Sequence, residues 1–172
     1  DGVTDDTSAI QSAINTAAAV GGGTVYFPRG IYSTSDLTYY STVSLLGENR
    51  TGSILKARAG TTNILYWTNL LTDTFTPLYG YIRNLQFDGN SVSGVTGIRL
   101  LNSPFFTLEN VRILRCDIGL YATGNYLANI TGSRFTTNRI GIYFGIATLP
   151  SSTNLPQEIT ISHSSITANT EW

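Results

Sequence analysis

The feature that most constrains this chain of 172 residues is a repeat that begins at Tyr81. Ile82, Leu85, Phe87, Asn90, Gly97 and Ile98 return as Leu108, Val111, Ile113, Cys116, Gly119 and Leu120, and again as Ile130, Ser133, Phe135, Asn138, Gly141 and Ile142. A fourth unit opens with Ile161, Ser164, Ile166 and Asn169. The step is 26 residues from Ile82 to Leu108, 22 from Leu108 to Ile130 and 31 from Ile130 to Ile161. The excess falls near Ser91 to Thr96 and Ala147 to Gln157, both rich in turn-forming residues. Short units of this length, with insertions confined to turns, predict a solenoid of stacked strands. Leucine-rich repeats share the period, but their Leu-x-x-Leu-x-Leu pattern is not sustained here. The density of Thr, Ile, Val and Tyr argues against helical repeats.

The predicted fold is all-β: a right-handed parallel β-helix with an N-terminal capping α-helix. It is expected to form one domain over 1–172, with the cap in 1–23 and the coils in 24–172. Ile10 and Ile14 are four apart, with Ala13 and Ala17 on the same side, which predicts an amphipathic helix over Thr7 to about Val20. Asp6 is the expected N-cap, since a carboxylate there can accept from the free amides of the first turn. Gly21, Gly22 and Gly23 then end the helix. This glycine run is no phosphate loop, because it closes a helix and no Gly-Lys-Ser/Thr follows it. Thr24 to Phe27 reads as a strand and Pro28-Arg29-Gly30 as its turn.

Stacked coils turn each repeat position into a ladder along the axis, with rungs about 4.8 Å apart. Asn90, Cys116, Asn138 and Asn169 are expected to form one such ladder on the interior side of a tight turn. Asn suits it because its amide both donates and accepts and tolerates left-handed backbone. Gly97, Gly119 and Gly141 are expected at the next bend for conformational reasons. His163 falls in the column of Asn84, Asn110 and Gly132, where a turn role outweighs a catalytic one.

Composition narrows the partners. Charged residues are 12% of the chain, while Thr and Ser number 25 and 16, a balance suited to strands and polar turns. A net charge of −1 gives no general attraction to nucleic acid or to anionic membranes. No apolar run reaches the roughly 20 residues of a membrane span, so no membrane insertion is expected. A single cysteine, Cys116, forms no disulfide within the chain.

The run Asp1-Gly2-Val3-Thr4-Asp5-Asp6-Thr7, followed by Gly22-Gly23-Thr24-Val25-Tyr26-Phe27-Pro28 and Gly30-Ile31-Tyr32, resembles the opening segment of the pectate-lyase superfamily of β-helices. Ser44 to Asn49, Ile54-Leu55-Lys56 and Ile82 to Asn90 continue the likeness over nearly the whole chain. The resemblance implies that the segment belongs to a longer chain, with a short strand before Asp1 and further coils beyond Trp172. It also implies a polysaccharide partner, with two settings inside the superfamily. One is a phage tailspike-type depolymerase, a homotrimer on the virion tail that degrades bacterial surface glycan. The other is a secreted glycan hydrolase or lyase. A non-catalytic adhesin or structural virion protein is the alternative from another class. The polygalacturonase motifs Asn-Thr-Asp, Gly-Asp-Asp, Gly-His-Gly and Arg-Ile-Lys do not occur. Neither the calcium-binding carboxylate cluster nor the catalytic arginine of true pectate lyases can be assigned, and no metal or other cofactor is expected.

Candidate site residues follow from the columns. Asp88, Glu109 and Asp117 are the candidate catalytic carboxylates. A glycosidase needs two such groups about 5 Å apart for retention or about 6.5–9.5 Å for inversion. The columns instead set Glu109 beside Arg83 and Asp117 beside Arg139, which reads as cross-coil salt bridging. Arg112 and Arg134 follow inward residues and should project together from neighbouring coils, a pairing of like charges that favours a shared anion. Arg99, Tyr121 and Tyr143 form a second outward ladder, suited to sugars or to a seam between subunits.

Overall fold

The computed structural model describes residues 1–68, 79–124, 127–145 and 158–171. The chain winds as a right-handed parallel β-helix. Helix α1 (Thr7–Ala19) leads into a first coil of β1 (Gly23–Phe27), β2 (Gly30–Thr34) and β3 (Leu37–Thr38). The second coil is β4 (Val43–Gly47), β5 (Ser53–Ala57) and β6 (Asn63–Thr68), and the third is β7 (Tyr81–Arg83), β8 (Gln86–Asp88) and β9 (Thr96–Leu101). β10 (Thr107–Glu109), β11 (Arg112–Leu114) and β12 (Ile118–Thr123) make the fourth, and β13 (Asn129–Thr131), β14 (Arg134–Thr136) and β15 (Ile140–Gly145) the fifth. β16 (Thr160–Ser162), β17 (Ser165–Thr167) and a single bridge from Glu171 to Ile140 form the last described coil.

Strands one coil apart pair in parallel and build three sheets. The first runs β1-β4-β7-β10-β13-β16, the second β2-β5-β8-β11-β14-β17 and the third β3-β6-β9-β12-β15. The register is the one the repeat predicts: Ile82 faces Leu108, Leu108 faces Ile130, and Ile130 faces Ile161. Phe87, Ile113, Phe135 and Ile166 form the matching column of the second sheet. These side chains alternate with outward ones, so Leu45, Leu55, Leu65, Phe87, Ile98, Ile113, Leu120 and Phe135 fill one continuous core.

Helix α1 packs against β1, β3 and β4 and closes the N-terminal end, with Ile14 fully buried and Ile10 nearly so. An end coil has no neighbour on one side, and the two isoleucines cover the apolar layer that would otherwise meet water. The acidic opening is used for turn geometry, though not as the sequence suggests. Asp6 makes no side-chain cap; its carboxylate accepts instead from the Ser33 amide at 3.0 Å. Asp5 takes the role, accepting from the Thr7 amide at 3.0 Å and the Thr7 hydroxyl at 2.6 Å. Gly21, Gly22 and Gly23 turn the chain out of α1 at φ +90°, +132° and +154°.

The asparagine ladder forms between the second and third sheets. The Cys116 amide donates to Asn138 Oδ1 at 3.0 Å, and the Asn138 amide to Asn169 Oδ1 at 3.0 Å. Asn138 Nδ2 donates to the Ile113 carbonyl and Asn169 Nδ2 to the Phe135 carbonyl, each at 3.2 Å. Two corrections concern this turn. Asn90 stands outside the ladder, exposed at φ +53°, because its turn is longer: seven residues separate Asp88 from Thr96, where three separate Leu114 from Ile118. That is the insertion near Ser91; the second, at Ala147 to Gln157, lies outside the described residues. The left-handed positions in the short turns are Arg115, Thr137 and Ala168, one residue before the ladder.

Gly97, Gly119 and Gly141 also have a different cause from the one expected. Their φ values are not positive; each sits inside a third-sheet strand where a Cβ would strike the next coil. At Gly119 it would lie 2.5 Å from the Gly141 carbonyl oxygen and 3.1 Å from Asn138 Nδ2. These glycines make room for the ladder.

Candidate functional site

The interior columns are spent on packing, so recognition falls to the outward columns and the turns. On the second sheet the column beside the core reads Ile54, Gln86, Arg112, Arg134 and Ser165. Arg112 and Arg134 are direct register partners, one strand spacing apart. Arg134 is exposed and Arg112 half-buried, with its Nε enclosed and lacking a hydrogen-bond partner. Among the described residues neither arginine pairs with a carboxylate; the salt bridges there use Arg58, Arg83, Arg115 and Arg139. Two arginines in register on neighbouring strands, with no counter-charge among the described residues, offer guanidinium donors suited to a carboxylate or phosphate.

The outward ladder of the third sheet is longer than the sequence reading had it. Tyr66 in β6 faces Arg99, which faces Tyr121, which faces Tyr143. The Arg99 guanidinium lies 4.6 Å from the Tyr121 ring centroid, and the Tyr121 and Tyr143 rings stack at 4.9 Å with 15° between planes. Tyr121 therefore uses its ring faces on Arg99 and on Tyr143 along the axis. What Tyr121 and Tyr143 present sideways to solvent are ring edges and hydroxyls.

The three candidate carboxylates each meet an arginine. Asp88, with 7% of its side chain exposed, accepts from Arg115 Nε at 2.9 Å, from Arg115 Nη2, and from the Asn90 amide at 2.9 Å. Glu109 lies 2.6 Å from Arg83 Nη2. Asp117 takes two donors from Arg139, Nε at 2.6 Å and Nη2 at 3.0 Å, and those bonds hold its carboxyl below the ordinary aspartate range. Arg139 also reaches Glu171 at 2.6 Å on the following coil. The three sit in different parts of the coil: Asp88 on the second sheet, Glu109 on the first, and Asp117 in the turn to the third. The geometry brings carboxylates to arginines and does not bring the three together. Burial pushes the Cys116 thiol up to about 12, so it is a packing residue and not a ready thiolate. Among the described residues no three metal-ligating side chains cluster.

The turn from the first sheet to the second carries polar groups that sequence reasoning missed as a site. Asn84, Asn110, Gly132 and His163 all adopt left-handed backbone, at φ +57°, +51°, +59° and +50°. Asn110 Nδ2 donates to Asn84 Oδ1 at 2.7 Å. The loop after β4 folds across this column and forms a cleft lined by Glu48, Asn49, Arg50, Thr51, Asn84 and Asn110. Arg50 Nη1 reaches the Gly132 carbonyl at 2.8 Å. The Asn column was visible in the repeat; the reach of Arg50 across several coils leaves no trace in spacing.

Comparison with known proteins places this geometry in context. A family model described as rhamnogalacturonase A/epimerase, pectate lyase-like, matches residues 1–172. Mannuronan C5-epimerase AlgE1 of Azotobacter vinelandii is 38% identical over 104 residues, 52% of this chain and 7% of the relative. The plasmin and fibronectin-binding protein A of Streptococcus pneumoniae is 30% identical over 129 residues, 73% of this chain and 17% of the relative. The chain thus spans a small fraction of either. Among solved structures, ORF18 of Geobacillus virus E2 superposes with a TM-score of 0.60 at 23% identity, covering 92% of this chain and 43% of that one, a likeness of fold.

Proposed function

We propose that this chain, which belongs to the rhamnogalacturonase A/epimerase, pectate lyase-like family, binds an acidic polysaccharide on the outer face of its second sheet, with Arg112 and Arg134 receiving the anionic groups. The observation that carries the reading is two arginines in direct register on neighbouring strands with no carboxylate partner among the described residues, where Arg83, Arg115 and Arg139 each have one. A uronate matches it well, since each planar guanidinium can give a carboxylate two parallel hydrogen bonds. The similarity to a mannuronan C5-epimerase supports the same class, because mannuronan is a polymer of a uronic acid.

Arginines that neutralise a uronate carboxylate would also ease loss of the proton beside it, the step that C5-epimerisation and lyase chemistry share. The base is not assigned by the described coils, where Asp88, Glu109 and Asp117 are each held by an arginine; a catalytic role for any of them requires a substrate that displaces its partner. Tyr121 and Tyr143 would contribute through ring edges and hydroxyls and Arg99 through its guanidinium, flanking the glycan or meeting a second subunit. For the whole protein we propose a trimeric tailspike-type depolymerase on a virion tail. A secreted epimerase, lyase or hydrolase is the alternative favoured by the epimerase relative, and a non-catalytic adhesin the one favoured by the plasmin and fibronectin-binding relative.

The test uses the full-length protein. Affinity for acidic oligosaccharides should fall steeply with salt, because the contact is ionic and solvent-facing. Salt-independent binding would contradict the arginine site. Incubation with the bound polysaccharide then sorts the classes: shortened chains indicate a depolymerase, unchanged length with altered sugar configuration an epimerase, and an unaltered polymer an adhesin.

A further inference from the structure

We infer that the cleft at the corner between the first and second sheets is a second sugar subsite, one that reads the vicinal hydroxyls of a pyranose through Glu48, Arg50, Asn84 and Asn110. The inference rests on the polysaccharide reading above but not on the arginine pair.

The argument is one of donors and acceptors. A sugar hydroxyl both donates and accepts, so a site for neighbouring hydroxyls needs both kinds of group within reach, whereas a carboxylate only accepts. The cleft supplies both. The single bond between the two asparagines, Asn110 Nδ2 to Asn84 Oδ1, leaves Asn84 Nδ2 as a donor and Asn110 Oδ1 as an acceptor, unclaimed among the described residues. Glu48 Oε2 accepts from the Arg29 amide at 3.2 Å, and its other oxygen is unclaimed. Arg50 is anchored by one nitrogen on the Gly132 carbonyl, which holds its remaining N–H groups at the column. Asn49, by contrast, turns its Oδ1 to the Thr51 amide and hydroxyl, both at 2.8 Å, and serves the loop.

The backbone explains why these amides face out. Asn84 and Asn110 occupy the left-handed position itself, and Gly132 holds the same position one coil on without a side chain. The turn therefore requires the conformation and not the amide, and the two amides are in excess of what folding needs. The cleft also lies beside the proposed anion site: Asn110 and Arg112 are two residues apart, as are Asn84 and Gln86. A glycan carboxylate on the arginines would bring ring hydroxyls toward the corner.

Because Gly132 is tolerated there, Asn84→Gly/Asn110→Gly removes the amides while keeping the turn. The experiment measures binding of the full-length parent, this variant and Glu48→Ala to an array of acidic oligosaccharides, oligomannuronate included, beside their carboxyl-reduced forms. The glycine variant should lose about tenfold in affinity for acidic and neutral forms alike, leaving the preference between them intact. Glu48→Ala, altered at an exposed side chain, should lose about threefold or more and decides the matter if the glycine variant does not fold. Unchanged affinity in a folded glycine variant, or in Glu48→Ala where that variant decides, would overturn the subsite while leaving the arginine reading standing. A parent that binds nothing on the array would overturn both.

Discussion

Two turns of this β-helix are built on asparagine and stack it along the same axis, yet they end in opposite chemistry. Between the second and third sheets, Asn138 is 2% exposed and its amide is fully engaged with Cys116, Ile113 and Asn169. Between the first and second sheets, Asn84 and Asn110 are half-buried, share one bond and keep a donor and an acceptor free. The difference lies in which residue takes the left-handed backbone. Where it is the residue before, as at Thr137, the asparagine points inward and replaces missing backbone partners. At the first-to-second corner Asn84 and Asn110 take it themselves, and their amides line the cleft. One residue type thus serves folding at one corner and is available for recognition at the other.

If that contrast holds, interior changes should cost stability and outward ones should not. The largest effect is expected for Ile14→Asp, where α1 seals the interior: about 3–5 kcal/mol, from an unpaired buried charge. Urea unfolding with little change would mean that α1 does not seal the end coil. Asn138→Leu should cost about 1–3 kcal/mol by stranding the Cys116 amide and the Ile113 carbonyl. A smaller loss would show that the buried ladder is not what holds that turn.

Asp117→Asn should cost at most about 1 kcal/mol near neutral pH, since its pair with Arg139 is partly exposed. The pH dependence has a definite sign. The folded protein binds the Asp117 proton less readily than the unfolded chain, so its contribution is full above the ordinary aspartate pKa of about 3.9 and is lost as pH falls through the lower folded value. The variant should therefore show a shallower acid loss of stability; an unchanged acid limb would discount the pair. Smallest of all, Asn110→Gly should shift stability by no more than about 0.5 kcal/mol. A loss as large as that of Asn138→Leu would erase the distinction between the corners.

The repeat made much of this legible, and its failures share a cause. Ile82, Leu108, Ile130 and Ile161 align in the sequence because an inward column must be apolar, and Arg83–Glu109 and Asp117–Arg139 follow once the register is known. Asn90 matched the ladder by residue type, but the longer turn after Asp88 carried it outside. Gly119 looked like a bend because glycine has two uses, and sequence alone does not separate freedom of φ from close approach of another coil. Tyr66 was missed as the first rung of the Arg99–Tyr121–Tyr143 ladder because its coil precedes the legible repeat. Arg50 was missed because the path of a long side chain across coils is set by packing alone.

The most direct test of the central claim is a four-way binding comparison of the full-length parent and Arg112→Ala/Arg134→Ala on matched acidic and carboxyl-reduced glycans. The account predicts that the parent prefers the acidic form by about tenfold or more and that the double variant binds both forms about equally. A double variant that keeps the full acidic preference would contradict it.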